Sequence, residues 1–265
     1  MTNRHGDFIW YELMTRDPDR AKAFYDAVAG WTIATEPFGS EDIGGMDYRM
    51  VEAPDTAVGG VFRLSDAMCA EGARPGWLGY VAVENVDETV ARAEALGGKT
   101  LMPAYDIPEV GRIALIADPQ GAAIYVMRGT SADGTSTAFD ETALGHCRWN
   151  ELTTSDPAAA LAFYGDLFGW TSTEKMAMGE AGDYAFLDHG DTRLGAVTPF
   201  MGGSPVPVWT YYFRVADIDA SIAATEKGGG KILHGPMEVP GGEHIVIGMD
   251  PEGVAFALVG DRPNA

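Results

Sequence analysis

Hydrophobic and polar residues alternate from Trp10 to Met14, and this period of two predicts a β-strand. After Asp17 and Pro18 the period changes to that of a helix, whose apolar face would contain Ala21, Phe24, Tyr25 and Val28. An Asp followed by Pro is typical of a helix start, and Gly30 is typical of a helix end. The segment is therefore predicted to fold as a strand, a capped amphipathic helix and a second strand.

The same segment occurs twice in the chain. Residues Trp10 to Thr32 and Trp149 to Thr171 are identical at 13 of 23 aligned positions without a gap. The shared residues include the strand tryptophan, the glutamate two positions later, the Asp-Pro helix start and the final Gly-Trp. Because all of them keep one spacing, they indicate a repeated structural unit and hence an internal duplication.

Each half also contains a second strand and helix pattern. The segment Val83 to Gly98 begins with V-x-x-V-D and ends in G-G. The segment Val215 to Gly230 has the same pattern, beginning with V-x-x-I-D and ending in G-G. Short alternating segments follow every predicted helix, among them a strand at Thr171 to Thr173. The chain is therefore predicted to contain four β-α-β-β-β modules, two in each half.

A small, polar segment separates the two halves. Residues Gly129 to Thr137 read G-T-S-A-D-G-T-S-T, which has no hydrophobic period and is typical of a linker. We therefore predict a first domain at residues 1–129, a linker at 130–140 and a second domain at 141–265. Each domain has the size of an ordinary globular domain.

Composition narrows the possible partners. The chain has 265 residues, with 39 acidic and 18 basic side chains and a formal net charge of -21. Nucleic acids and anionic membranes bind clustered Lys and Arg, so we expect neither as a partner. The two cysteines show no metal or redox spacing, and no apolar run is long enough to span a bilayer, which favours a cytoplasmic protein.

These motifs resemble those of the vicinal oxygen chelate superfamily, which includes glyoxalase I, the bleomycin resistance proteins and the extradiol dioxygenases. The resemblance rests on the D-P-x-x-A-x-A-F-Y…G-W segments, on the V-x-x-V/I-D…G-G segments and on D-P-x-G-A/V at Asp118 and Asp250. It covers the chain from about Phe8 to Val259 and is closest to the two-domain glyoxalase-like subgroup. It implies an α+β fold of tandem glyoxalase-like domains, in which four βαβββ modules form two cupped mixed sheets.

The resemblance also implies where a metal would bind. Metal-dependent members hold a divalent ion with His, Gln or Glu from the first, fourth, fifth and eighth strands of a cup. Counted along this chain, the corresponding positions are Trp10, Gly59 to Val61, Leu78 and Tyr125 in the first half, and Trp149, Gly195-Ala196, Thr210 and Ala257 in the second. Divalent ions prefer imidazole or carboxylate ligands, so we expect no cofactor, and a divalent metal is the disfavoured alternative.

Two glutamates and six other residues are the candidates for chemistry. Glu12 and Glu151 follow the strand tryptophans, and burial on an apolar face would suit them to general acid or base catalysis; the alternative is that they anchor a neighbouring amide or arginine. The predicted ligand-binding residues are Trp10, Tyr80, Tyr125, Trp149, Thr210 and Tyr212. Their aromatic rings would form a pocket for a flat ligand, or would simply fill the core.

We therefore expect a glyoxalase-like and bleomycin-resistance-like protein that binds a small hydrophobic or aromatic molecule without the family metal site. The alternative is an enzyme of this superfamily, a lyase, isomerase or oxygenase, that acts on a small metabolite with a divalent metal or a Glu general base. The duplication suggests a monomeric pseudo-dimer or a homodimer. In family dimers a cup often combines modules of different domains, which would pair Trp10 and Glu12 with Thr210 and Tyr212.

Overall fold

A computed structural model describes residues 3–38, 46–130, 135–200 and 206–263. It contains two eight-stranded mixed sheets, one in each half of the chain. The strands of the first sheet are β1 Phe8–Thr15, β2 Thr32–Ile33, β3 Tyr48–Glu52, β4 Ala57–Arg63, β5 Gly76–Ala82, β6 Lys99–Ile107, β7 Gly111–Ala117 and β8 Ala123–Gly129. Those of the second sheet are β9 Cys147–Thr154, β10 Lys175–Ala177, β11 Asp183–His189, β12 Thr192–Pro199, β13 Val208–Val215, β14 Lys231–Glu238, β15 His244–Met249 and β16 Ala255–Gly260.

The two sheets have the same strand order. It is β2-β3-β4-β1-β5-β8-β7-β6 in the first and β10-β11-β12-β9-β13-β16-β15-β14 in the second. Since β1 lies beside β5, and β9 beside β13, each sheet contains both modules of one half. The predicted α+β fold of two tandem domains with four modules is thus confirmed. The expected combination of modules from different halves concerns compact units rather than sheets, and there the first module of each half is grouped with the second module of the other.

Five α-helices occur within the described residues. They are α1 Pro18–Ala29, α2 Asp66–Ala70, α3 Val86–Ala95, α4 Pro157–Phe168 and α5 Ile218–Lys227, together with a short 3₁₀ helix at Gly179–Ala181. The predicted start of α1 is confirmed, because the side chain of Asp17 accepts a hydrogen bond from the backbone N–H of Arg20. Gly30 ends the helix in the left-handed conformation at φ 71°. No helix among the described residues has the length and apolar character needed to cross a membrane.

One sequence prediction of local structure is wrong. The strand after α4 lies at Lys175–Ala177, where it pairs with β11, and not at Thr171 to Thr173. Thr171 makes only an isolated bridge to Asp188. The short helix α2, Asp66–Ala70, lies between β4 and β5, where the sequence pattern predicted no helix. The linker prediction falls partly on residues 131–134, which lie outside the described residues, as does the polar connection 39–45.

Contacts group the chain into two compact units. Unit one consists of Met1–Ile9, Gly79–Ser136 and Trp149–Thr210, and unit two of Trp10–Leu78, Thr137–Arg148 and Tyr211–Ala265. Each unit therefore combines one module from each half. In unit two, α1 packs against α5, and Ser221 Oγ donates a 2.8 Å hydrogen bond to the carbonyl oxygen of Val28. In unit one, α3 packs against α4, with Arg92 Nη2 3.3 Å from Asp166 Oδ1.

A buried hydrogen-bond relay holds the modules of unit two together. Trp77 Nε1 donates to Tyr25 Oη over 3.3 Å, and Tyr25 Oη donates to Asp250 Oδ2 over 3.1 Å. Burial raises the pKa of the Asp250 carboxyl above its usual value, although backbone N–H groups and Tyr25 donate to it. Asp250 begins the second D-P-x-G motif, so that motif is positioned by an aromatic side chain from the other half of the chain.

Unit one contains the same relay. Trp209 Nε1 donates to Tyr164 Oη over 3.1 Å, and Tyr164 Oη donates to Asp118 Oδ2 over 3.2 Å. Burial likewise raises the pKa of Asp118, and the backbone N–H groups of residues 120–122 donate to Oδ1. Both units therefore contain the same buried relay from an indole through a phenol to an aspartate.

The segments that precede β1 and β9 make equivalent contacts. Trp170 Nε1 donates to the carbonyl oxygen of Gly6 in unit one over 2.8 Å, and Trp31 Nε1 donates to that of Gly145 in unit two over 2.7 Å. These contacts explain why both copies end in Gly-Trp. Each tryptophan ring is buried and anchors a segment from the opposite half.

The residue after each of these glycines forms a histidine–aspartate pair. In unit one Asp7 Oδ1 lies 2.9 Å from His189 Nδ1, and in unit two His146 Nε2 lies 2.8 Å from Asp55 Oδ1. The hydrogen bond from His146 lowers the pKa of the Asp55 carboxyl. Burial opposes such a shift at Asp7, but the contact with His189 holds its pKa below the usual value. The aspartate precedes the first strand in one unit, and the histidine does so in the other.

Candidate functional site

The first strand of the first half presents Trp10 and Glu12 on one face, here called the Trp10 face. Trp10 is half-buried, and its Nε1 donates a 2.7 Å hydrogen bond to Tyr48 Oη on β3. Glu12 is only 4% exposed and pairs in register with Gly60 on β4. A Cβ atom at Gly60 would lie 2.1 Å from Tyr48 Oη, so the tyrosine ring covers this glycine. The Trp10 face therefore holds an indole, a phenol and a buried carboxyl group.

The second half repeats this arrangement in unit one. Trp149 Nε1 donates to Tyr184 Oη over 2.9 Å, and Tyr184 Oη donates to Glu151 Oε2 over 2.6 Å. Trp149, Tyr184 and Glu151 are all half-buried. A hydrogen bond from a phenol to a carboxylate is charge-assisted and stronger than a neutral one. The chain of donors thus runs from the indole through the phenol to the carboxylate, which fixes the orientation of all three groups.

Further aromatic contacts surround Trp149. The ring of Phe186 meets Trp149 edge to face, with centroids 6.1 Å apart, and Tyr184 with centroids 5.6 Å apart. The guanidinium of Arg193 lies 4.4 Å from the Phe186 ring centroid. Such edge-to-face and cation–π contacts hold aromatic rings in defined positions.

Tyr80 and Tyr125, both predicted to bind ligand, contact each other directly. They are register partners on β5 and β8, and their rings stack with centroids 4.2 Å apart. Both are nearly buried, at 6% and 7% exposure. In the second half the corresponding partners are Tyr212 and Ala257, so only one ring is present at this level of the sheet. Thr210, two residues before Tyr212, is half-buried.

The structure brings some of the predicted residues together and adds two that sequence reasoning missed. Trp149 and Glu151 are joined through Tyr184, and Trp10 contacts the equivalent Tyr48. A signal for the two tyrosines was available, because Tyr48 is the first residue of β3 and Tyr184 the second residue of β11, the strand equivalent to β3. The hydrogen bonds from the two tryptophans to these tyrosines join β1 to β3 and β9 to β11, which are not consecutive strands of the chain.

The positions implied for metal ligands do not fit a metal. In unit two Trp10 Nε1 is a donor to Tyr48, and Gly60 has no side chain. In unit one Tyr125 stacks on Tyr80. No group of three or more His, Cys, Asp or Glu side chains within residues 3–38, 46–130, 135–200 and 206–263 could hold an ion. Because divalent ions need several such donors, we derive no chemistry through a metal.

Comparisons with known proteins agree with the fold. Residues 143–258 match the family model described as Glyoxalase/Bleomycin resistance protein/Dioxygenase superfamily, and residues 10–127 match one described as Glyoxalase-like domain. A Mycobacterium tuberculosis protein named "Putative glyoxylase CFP32" is 35% identical over 263 residues, covering 98% of this chain and 97% of the relative.

A more distant relative and a solved structure complete the comparison. Anthracycline biosynthesis protein DnrV of Streptomyces peucetius is 28% identical, covering 94% of this chain and 91% of the relative. The Mn(II)-bound glyoxalase from Novosphingobium aromaticivorans superposes with a TM-score of 0.62 at 16% identity, covering 97% of this chain and 83% of that one. With the two matching domains and the full-length mycobacterial relative, the chain belongs to the glyoxalase/bleomycin resistance protein/dioxygenase superfamily.

Proposed function

We propose that the protein binds a small hydrophobic or aromatic molecule, without a metal at the family position. The observation that carries this proposal is the Trp149–Tyr184–Glu151 chain, which places a carboxylate and a phenol beside an oriented, half-buried indole. An aromatic wall with a few fixed polar groups is typical of a small-molecule site. The Streptomyces relative is named for anthracycline biosynthesis, which fits an aromatic ligand.

Ligand binding is tested with the full-length protein by titrating 2-naphthol and following tryptophan fluorescence and heat. We expect Glu151→Gln to weaken binding by about tenfold or more, because a hydrogen bond to a charged group stabilises by about 1.5–3 kcal/mol. Tyr184→Phe should have a smaller effect, because it removes the orienting phenol but keeps the carboxylate. The matched control is Glu180→Gln, which makes the same change at an exposed position.

If Glu151→Gln binds 2-naphthol with unchanged affinity, the Glu151 carboxylate does not belong to the binding site. If 2-naphthol and related bicyclic aromatic compounds do not bind at all, the ligand-binding proposal is wrong.

An enzyme that uses Glu151 as a general base is the second candidate. It is favoured by the 2.6 Å hydrogen bond that orients Glu151, and by the name of the mycobacterial relative. Elemental analysis of protein purified without a metal-affinity tag separates the possibilities. We expect no tightly held divalent metal, whereas about one ion per domain would overturn the metal-free proposal. Metal-free turnover of a glyoxalase-type substrate that is lost in Glu151→Gln would favour the second candidate.

A further inference from the structure

A second group of residues lies in unit two, on the face of the last module that carries Tyr212. In register, Tyr212 pairs with Ala257 and Ala257 with Ile247, while Arg214 pairs with Val259 and Val259 with Ile245. Register partners share one face of a sheet. The opposite face, with Phe213, Leu258 and Val246, is packed in the core. On the Tyr212 face, Tyr212, Ala257 and Val259 are buried as well, whereas Ile245 and Ile247 are half-buried. This face is therefore apolar, with Arg214 at one end and its accessible part at Ile245 and Ile247.

Two arginines share one carboxylate at that end. Arg214 Nη1 donates to Glu243 Oε1 in a short contact, and Arg148 Nε lies 3.5 Å from Glu243 Oε2. All three side chains are largely shielded, at 19%, 25% and 15% exposure for Arg214, Arg148 and Glu243. Arg148 Nε is buried and has no hydrogen-bond partner. The cluster thus has an excess of one positive charge and at least one unsatisfied N–H.

This cluster exists in only one half of the duplication. Gly145 N–H donates to the carbonyl oxygen of Arg214, as Gly6 N–H does to that of Ala82, so Arg214 corresponds to Ala82. By the same alignment Arg148 corresponds to Ile9, and Glu243 to Gly111. The fold therefore does not require the three charged residues. The residues next to the cluster also differ between the halves. The first half has the stacked rings of Tyr80 and Tyr125, whereas the second half has Tyr212 beside the small side chain of Ala257.

We propose that Arg148 and Arg214 bind the carboxylate of a small amphipathic ligand, whose apolar part contacts Ile245 and Ile247, the half-buried residues of the Tyr212 face. A planar guanidinium can donate two parallel hydrogen bonds to a carboxylate, and the shielded position strengthens the interaction. The cluster attracts an anion locally, although the whole chain carries a net charge of -21. The inference rests on the proposed function for the apolar character of the ligand, and adds a second site, in unit two, that binds an acid.

The test compares 2-naphthoate with 2-naphthamide, which has the same rings and no charge, by calorimetry on the full chain at neutral pH. We expect the native protein to bind the carboxylate more tightly by about tenfold or more. Arg214→Ala and Arg148→Ile, which introduce the residues of the other half, should reduce that preference to less than about threefold. Glu243→Gln should strengthen binding of the carboxylate, because it removes the competing negative charge.

The control is Arg112→Ala, which removes one positive charge from another arginine that is paired with two acids. It should keep the preference for 2-naphthoate. Thermal unfolding of each variant checks that the fold is intact. Equal binding of the two compounds to the native protein, or a preference that survives Arg214→Ala, would overturn the acid site and leave the proposed function standing. If neither compound binds, both proposals are wrong.

Discussion

Replacing Gly195 with alanine is expected to destabilise the protein by about 3 kcal/mol or more, because the added methyl group has no space. A Cβ atom there would lie 1.7 Å from the carbonyl oxygen of Asn150, its partner on β9. Neither strand can move away easily, since β12 and β9 are paired inside the second sheet. Urea unfolding followed by circular dichroism measures the free energy of unfolding of this variant.

Gly59 allows a parallel test in the first half. It pairs with Tyr11 on β1, and a Cβ atom at Gly59 would lie 2.3 Å from the Tyr11 carbonyl oxygen. The control is Gly76→Ala, because nothing lies within 4 Å of a Cβ atom there. We expect Gly59→Ala to be strongly destabilising and Gly76→Ala to change stability by less than about 1 kcal/mol. If Gly195→Ala, Gly59→Ala and Gly76→Ala destabilise the protein equally, the close β9–β12 and β1–β4 contacts do not determine the loss of stability.

Removing the hydroxyl group of Tyr25 or Tyr164 is expected to cost about 3 kcal/mol in each case. Either change leaves a buried indole N–H, of Trp77 or Trp209, without its acceptor, and a buried aspartate without one of its donors. Tyr105→Phe makes the same chemical change at an exposed position and serves as the control. A loss no greater than that of Tyr105→Phe would show that the relays do not stabilise the units.

The loss of stability in Tyr25→Phe and Tyr164→Phe should also depend on pH. Burial raises the folded-state pKa of Asp118 and Asp250 above the ordinary value of 3.8, so each carboxyl favours folding most when it is protonated. Stability from these two groups therefore falls as the pH rises from about 3.8 through the raised pKa. Without the tyrosine hydroxyl the ionised form loses a donor, which raises the pKa further. The destabilisation by Tyr25→Phe should accordingly be larger at neutral pH than in mild acid.

The sequence predicted the elements that depend on local chemistry. The Asp17-Pro18 start and the Gly30 end of α1 follow from capping and from the left-handed conformation that glycine tolerates. The four modules follow from the repeat. The position of the strand after α4 could not be predicted, because it depends on pairing with β11. Trp170, at the end of the repeated segment, instead donates a hydrogen bond to the carbonyl oxygen of Gly6.

The candidate site was predicted in part. Trp149 and Glu151 were identified by their spacing in both copies, but Tyr184, which joins them, lies 33 residues from Glu151 in the chain. The stacking of Tyr80 on Tyr125 depends on the parallel register of β5 and β8, which the spacing of residues does not reveal. The Arg148–Glu243–Arg214 cluster could not be predicted from the repeat, because it has no counterpart in the first half.

The reversed histidine–aspartate pairs have a consequence for how a duplicated chain recognises itself. In each unit, the segment before a first strand meets a hairpin of the opposite half, and an aspartate always faces a histidine. If two first halves associated in the same geometry, Asp7 of one would face Asp55 of the other. Two second halves would bring His146 against His189. Only the association of unlike halves is complementary at both contacts, so these four side chains favour the pairing of a first half with a second half over the pairing of two like halves.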